Sequence, residues 1–383
     1  MGQLASNIGS WMQLVATGWL VLQLTDSPAA LGINAACQAL PILLFSVVGG
    51  VFADRFNRHR LMLGAQLAQL VPDLTLALLV STGRVQVWHI YLYSLSNATI
   101  RGLSTPARQA FVPSLVPREA LLSAIALNSI LWQGAAVVGP TVAGVVLAAW
   151  GLAACFWLNV ASDLVNVAAL LLIPGKDTPR PSVGSAWQRL AEGARYAWRE
   201  PRVRLLLFAV GTTSLLGRSY TQLMPVFARD VLAVGPRGLG LLLAMPAVGT
   251  ILVALGLATL HLTHKGRWLL ATMTLLAVAL GVFALSQVFV LSLAVLVLVG
   301  ASATASTTLT NTLLQEQVTD HVRGRVMGFY MAATQGASPL GALPGGLLAE
   351  LLGAPLAVLL GAGCLLACAL GLTLRTPTLR HLD

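Results

Sequence analysis

Four ionisable side chains lie within long apolar runs of this chain: Asp73, Arg101, Asp163 and Arg218. A charge placed in hydrocarbon is costly, so each is a candidate for handling an ion or a substrate. The two acids have amide neighbours at helical spacing, Gln66 and Gln69 before Asp73, and Asn159 and Asn166 on either side of Asp163. A carboxyl in a dry setting holds its proton more readily than one in water, which suits reversible protonation. Asp73 and Asp163 are therefore the proton-coupling candidates, with structural pairing an equal reading. The arginines suit an anionic or amphipathic cargo. Polar stripes accompany these charges: Asn7, Trp11 and Gln13; Ser94, Asn97 and Arg101; Ser214, Arg218, Thr221 and Gln222; Thr304, Thr307, Thr308 and Asn311. From them, Trp11, Gln13, Asn97, Arg101, Arg218, Gln222, Thr307 and Asn311 are the candidate substrate-cavity residues. Interhelical glue is the second reading of any such stripe.

The elements that must position these residues are membrane helices. Hydrophobic residues make up 57% of the chain and charged residues only 9%, against roughly 45–50% and 25% in soluble domains. A soluble domain of this length could not cover its surface with so few charges. Twelve apolar stretches of about 20 residues follow one another: 4–24, 30–53, 61–82, 88–112, 122–149, 152–173, 203–226, 238–260, 268–287, 289–312, 327–352 and 354–374. The long polar stretch 174–202 divides them six and six.

The net charge of +10 would suit a nucleic-acid binder, but the basic residues sit in short interhelical loops. Alternate loops hold Arg55, Arg58 and Arg60, then Arg118, seven cations from Lys176 to Arg204, Lys265 with Arg267, and Arg323 with Arg325. The opposite loops hold Arg84, Arg229 and Arg237. By the positive-inside rule both termini are cytoplasmic. In the linker, Trp187, Leu190, Ala191, Ala194, Ala197 and Trp198 recur at helical spacing opposite Arg189, Glu192, Arg195 and Arg199. This predicts a basic amphipathic helix at the cytoplasmic membrane surface.

Enzymatic and metal readings find no support. The phosphate-binding Gly-x-x-x-x-Gly-Lys-Ser/Thr loop and the His-Glu-x-x-His motif are both missing. His261 and His264 lack metal-ligand company, and Cys37, Cys155, Cys364 and Cys368 lie in spans as packing residues. No cofactor or metal is expected.

The loop after the second span reads Gly50-x-x-x-Asp54-Arg55-x-x-Arg58-His59-Arg60. It resembles the signature loop of the major facilitator superfamily of secondary transporters. Gly50 permits close helix packing, Asp54 suits a helix N-terminus, and arginines pair with carboxylates and lipid phosphates. The resemblance implies a cytoplasmic latch, with Asp54 facing the segment near Gly324–Met327. A topogenic charge cluster would explain the arginines but neither the glycine nor the acid.

Further stretches sharpen the resemblance. Ala135-x-x-x-Gly139-Pro140-x-x-Ala143-Gly144 is similar to the superfamily's antiporter motif, with alanine at two glycine positions; a kinked packing seam is its second reading. The segment Pro106–Glu119, with Trp11-Met12-Gln13, Leu24-Thr25-Asp26-Ser27-Pro28 and Ala39-Leu40-Pro41, resembles the bacterial subfamily of enterobactin exporters and transmembrane secretion effectors. An internal repeat supports two homologous halves: Leu31-Gly32 stands to the 49–60 loop as Leu239-Gly240 does to His261–Trp268, and Pro106–Gly144 is echoed by Thr310–Gly346. In helix 4, the drug antiporters' arginine falls on Ser94 and their glutamine on Asn97, with Arg101 two turns nearer the cytoplasm as a possible substitute.

The resemblance implies an all-α integral membrane protein of the major facilitator fold, with twelve transmembrane helices in two pseudo-symmetric six-helix halves, 1–173 and 203–383. It implies alternating access, a cavity lined by every third helix, and residence in a bacterial inner membrane as a monomer. The expected activity is proton-coupled efflux of a siderophore, drug or metabolite. Uptake or uniport is the alternative, as is a non-transporting sensor or scaffold. Relatives carry a short charged lead before the first span, so the start at Met1 reads as late or truncated.

Overall fold

The computed structural model describes residues 2–114, 121–172, 195–259 and 263–375. Among these residues the chain is helical throughout, without strands. The long helices are α1 (Gly2–Thr25), α2 (Pro28–Arg55), α3 (Arg58–Ser81), α4 (Val87–Ser114), α5 (Leu121–Leu172), α6 (Pro201–Gly217), α7 (Gly235–Thr259), α8 (Lys265–Leu285), α9 (Phe289–Gln317), α10 (Asp320–Leu352) and α11 (Ala354–Arg375). Six of them are long and apolar enough to cross a membrane, counting α5 once. Large apolar side chains such as Leu172 and Leu351 stay exposed, as a lipid-facing surface requires.

Local chemistry sets the breaks between spans. Ser27 caps α2 by accepting a hydrogen bond from the Ala30 amide at 3.2 Å, and Pro28 supplies the first turn. Asn57 caps α3 through the Arg60 amide at 3.0 Å. Inside α5, Gly151 adopts φ 79° and ψ −178°, a conformation essentially confined to glycine. The chain reverses there, so α5 is two spans, as the sequence predicts. Gly353 (φ 88°) separates α10 from α11 in the same way. Left-handed residues precede both α2 (Asp26, φ 55°) and α7 (Ala233, φ 51°), in keeping with the sequence repeat.

One span departs from its expected form. Residues 203–226 were expected as one helix, but α6 ends at Gly217, and a 3₁₀ turn (Ser219–Leu223), a single α turn (Met224–Val226) and a π turn (Phe227–Val231) follow. Arg218 leaves the helical well at φ −121°, and the Thr221 hydroxyl donates to its carbonyl at 2.9 Å. Pro225 has no N–H to continue the ladder.

Two compact units result: Met1–Val183 with Val234–Ala244, and Gly184–Ala233 with Met245–Asp383. In the first, α1 packs on α5, α2 on α4, and α3 on both α4 and α5. In the second, α8 packs on α9 and α11, and α6 on α9 and α10.

Of the linker helix, residues 195–199 are described and helical, with Ala197 buried and Trp198 exposed beneath the Arg204 guanidinium at 5.8 Å. Trp187, Arg189, Leu190, Ala191, Glu192 and Ala194 lie outside the described residues.

Candidate functional site

The first unit gathers polar side chains from four helices. On α3, Gln66, Gln69 and Asp73 follow the i, i+3, i+7 spacing that puts them on one face. Asn159, Asp163 and Asn166, at i, i+4 and i+7, share a face of the second arm of α5, and Tyr93, Asn97 and Arg101 lie one turn apart on α4. Gln13 comes from α1. Asp73 and Asp163 are only 2% and 5% exposed, so their oxygens need donors from the protein.

Those donors are present. Asp73 accepts hydrogen bonds from Gln13 Nε2 (2.7 Å), Tyr93 OH (2.9 Å) and Gln69 Nε2 (3.0 Å). Asp163 accepts from Gln66 Nε2 (2.9 Å) and Asn159 Nδ2 (3.2 Å). The same Asn159 amide donates to Gln13 Oε1 at 3.1 Å, so Gln13 and Asn159 bridge the two carboxylates. Asn166 donates to Gln66 Oε1 at 3.0 Å, and Asn97 to the Tyr93 hydroxyl at 2.6 Å. The amide and phenol groups form one connected system around two acids.

This network borders an open cavity of about 820 Å³, including its mouth, whose lining includes Gln13, Asp73, Asn97, Arg101, Arg108 and Asp163. A second cavity of about 460 Å³ shares Gln13, Asn97 and Arg101 with it and is also lined by Tyr93. Gln13, Asn97, Arg101, Asp73 and Asp163, all singled out in the sequence, thus come together. Tyr93 and Arg108 were missed. Each had a signal: Tyr93 precedes Asn97 by one turn, and Arg108 follows Arg101 by two.

Trp11 goes elsewhere. A Cβ added to Gly139 would lie 2.5 Å from the Trp11 Cβ, so α1 and α5 touch there. The motif's other glycine makes an equally close approach: a Cβ on Gly144 would meet the Pro236 carbonyl oxygen at 2.6 Å and Gly240 Cα at 3.1 Å. Reciprocally, a Cβ on Gly240 would come within 2.4 Å of the Pro140 carbonyl oxygen. Glycine is required on both sides of this α5–α7 crossing.

The second unit's candidates are arranged differently. Arg218 is exposed at the end of α6 and Gln222 lies in the 3₁₀ turn. Thr307 donates to the Ala303 and Thr304 carbonyls of its own helix, and Asn311 accepts from Gln315 one turn on. No hydrogen bond among the described residues joins these four side chains to one another.

In the signature loop, the close approach belongs to Gly49 rather than Gly50. A Cβ on Gly49 would lie 2.6–2.8 Å from Leu103 and Gly102 backbone atoms of α4, whereas nothing described lies within 4 Å at Gly50. The rotation of one residue, about 100° on a helix, turns Gly50 off the α2–α4 contact. Arg58 and Arg60 open α3, and His59 Nε2 lies 2.8 Å from the Leu170 carbonyl oxygen at the far end of α5. The side chains of Asp54 and Arg55, and so the expected facing of Asp54 to Gly324–Met327, lie outside what is described.

Helices long and apolar enough to span a membrane, with a polar cavity set among those of the first unit, fit the major facilitator fold. Solved structures agree: a nucleoside transporter, NupG (TM-score 0.73, 14% identity, 97% of this chain and 98% of that one), and a peptide-bound POT family transporter (TM-score 0.77, 11% identity, 99% and 96%) share the fold. The family described as transmembrane secretion effector matches residues 1–383, and the chain belongs to it. Curated relatives include the staphyloferrin A transporter of Staphylococcus aureus (26% identity, 90% of this chain, 87% of that protein). Others are the multidrug efflux pump Tap of Mycolicibacterium fortuitum (27%; 91% and 88%) and the enterobactin exporter EntS of Shigella boydii (28%; 87% and 80%). The chain is a transporter, not an enzyme.

Proposed function

We propose that the protein exports a small molecule across the bacterial inner membrane in exchange for protons, with both termini cytoplasmic and a single chain as the working unit. The observation that carries this reading is the joining of Asp73 and Asp163 in one buried network open to the cavity. Two adjacent acids bridged by Gln13 and Asn159 can exchange protons with that cavity while staying hydrogen-bonded in either state. Protonation of one removes charge from a site that is costly to keep charged, and so biases any motion that closes the site to water.

The siderophore and drug cargoes in the relatives' names support a small, amphipathic organic substrate. Halves 1–173 and 203–383, joined through 174–202, would open the cavity alternately to the two sides of the membrane, with Gly139, Pro140 and Gly144 as the antiporter-like motif. The loop residues Gly50, Asp54, Arg55, Arg58 and Arg60 would latch the cytoplasmic side.

Everted membrane vesicles with an acid-inside gradient test the function. A transported compound is expected to discharge the gradient on addition and to accumulate inside; accumulation that continues with the gradient collapsed would contradict proton coupling, and loss of compound from preloaded vesicles driven by the same gradient would contradict the direction.

A further inference from the structure

Arg101 and Arg108 stand seven residues apart on α4, about 10 Å along its axis, and both line the larger cavity. Ser104 and Thr105 lie between them on the same wall, but their hydroxyls donate to the Arg101 carbonyl at 3.4 and 2.7 Å. The guanidinium groups are therefore the free donors of this wall.

Ion pairs among the described residues form elsewhere. Lys265 pairs with Glu316 at 2.7 Å, and Arg229 with Asp230 at 2.6 Å. Among the described residues neither Arg101 nor Arg108 makes a side-chain ion pair or hydrogen bond. Neither acid that lines the same cavity, Asp73 or Asp163, forms an ion pair with them. Asp73 is held by three donors and Asp163 by two, which ties those oxygens to amides and a phenol. Two cations two turns apart on one wall, each with its donors unspent, offer an anion a local attraction at that wall. A planar guanidinium fork matches a carboxylate or phosphate oxygen pair.

We propose that Arg101 and Arg108 form an anion subsite that takes an acidic oxygen group of the transported molecule. This rests on the reading of the cavity as the cargo's and narrows that cargo to compounds carrying at least one carboxylate, phosphate or comparable anionic group. The two-turn spacing favours molecules with two such groups over monoanions.

Trp132 lines the same cavity and is half-exposed, which makes it a reporter. The purified full chain in neutral detergent is titrated with citrate and with pyrophosphate, following tryptophan fluorescence, with Trp132→Phe identifying the signal. The subsite predicts saturable quenching by both anions and none by the neutral ester triethyl citrate. Arg101→Gln and Arg108→Gln should each weaken binding about tenfold or more, and the double variant should lose it. Arg108→Lys, which keeps the charge without the fork, should weaken it less, and Arg84→Gln in the opposite loop should bind as wild type. Lysine-variant binding also covers the case in which a glutamine variant fails to fold. Absence of binding of either anion to wild type, or unchanged binding in the double variant, would overturn the proposal.

Repeating the titration in nanodiscs of phosphatidylcholine, with and without phosphatidylglycerol, separates the sources of the anion. Unchanged citrate affinity supports a cargo site, whereas competition by phosphatidylglycerol would reassign the occupant to a lipid headgroup and overturn the cargo assignment. No gradient or transport step enters the assay, so its failure is distinguishable from failure of proton coupling or export.

Discussion

Both units of the molecule bury polar side chains in apolar helices, yet they satisfy them in opposite ways. In the first unit, amides, a phenol and two carboxylates from α1, α3, α4 and α5 bond across helices into one system. In the second, hydroxyls dominate and most bond to their own helix: Thr307, Ser302 and Thr310 each donate to a carbonyl three or four residues back. Its cross-helix contacts are isolated, such as Thr250 with Thr304 at 2.7 Å and Tyr330 to the Thr307 carbonyl at 2.9 Å. The physical cause is reach. A hydroxyl can satisfy itself on its own backbone, whereas a buried carboxylate finds no free backbone N–H within its helix and must recruit side chains, one a turn away on its own helix and others on neighbouring helices. Polar residues of equal cost in sequence therefore mark a network in one unit and local helix chemistry in the other.

The largest expected effect comes from removing an acid without replacement. Asp73→Leu strands three donors at about 1–3 kcal/mol for each that stays unsatisfied, and an unfolding titration in mixed detergent should show a loss of about 3 kcal/mol or more. Gln13→Leu cuts the bridge between the acids and is expected to cost about 1–3 kcal/mol in the same titration. It should also lower proton-linked transport more than a loss of stability alone explains, measured at equal protein in vesicles. In the second unit, Thr304→Val removes a single cross-helix hydroxyl pair and should cost about 0.6 kcal/mol. Thr307→Val replaces a self-bonded hydroxyl, so its unfolding curve should overlay wild type. An equal loss for Thr304→Val and Gln13→Leu would erase the distinction between the units.

Much of this was legible in the sequence. Span limits follow from apolar length, and even the reversal within α5 falls at Gly151, between the two expected spans. The acids and their amide escorts were visible because each pairing lies within one helix turn or two. What could not be read was contact across helices. Tyr93 reaches Asp73 from α4, and aromatic residues in membrane helices are too common to single out. Gly49 and Gly50 are adjacent glycines, and only the rotation of α2 decides which meets α4. Arg218 reads as lying within a helix because local apolarity continues through 226; the competing hydroxyl of Thr221 and the missing amide of Pro225 act together to break it. Arg108 followed the spacing of Arg101 but lies near the end of a span, where a basic residue reads as topology rather than as cavity.

The central claim is that Asp73 and Asp163 together carry the coupling proton, and it is tested most directly in proteoliposomes containing a pH-sensitive dye. Wild type, Asp73→Asn and Asp163→Asn are compared with a compound that accumulates in the everted vesicles. The account predicts substrate-dependent proton flux in wild type and its loss in at least one asparagine variant, with substrate binding retained. Proton flux at wild-type rate and stoichiometry in both variants would contradict it, leaving the network a structural feature of the first unit.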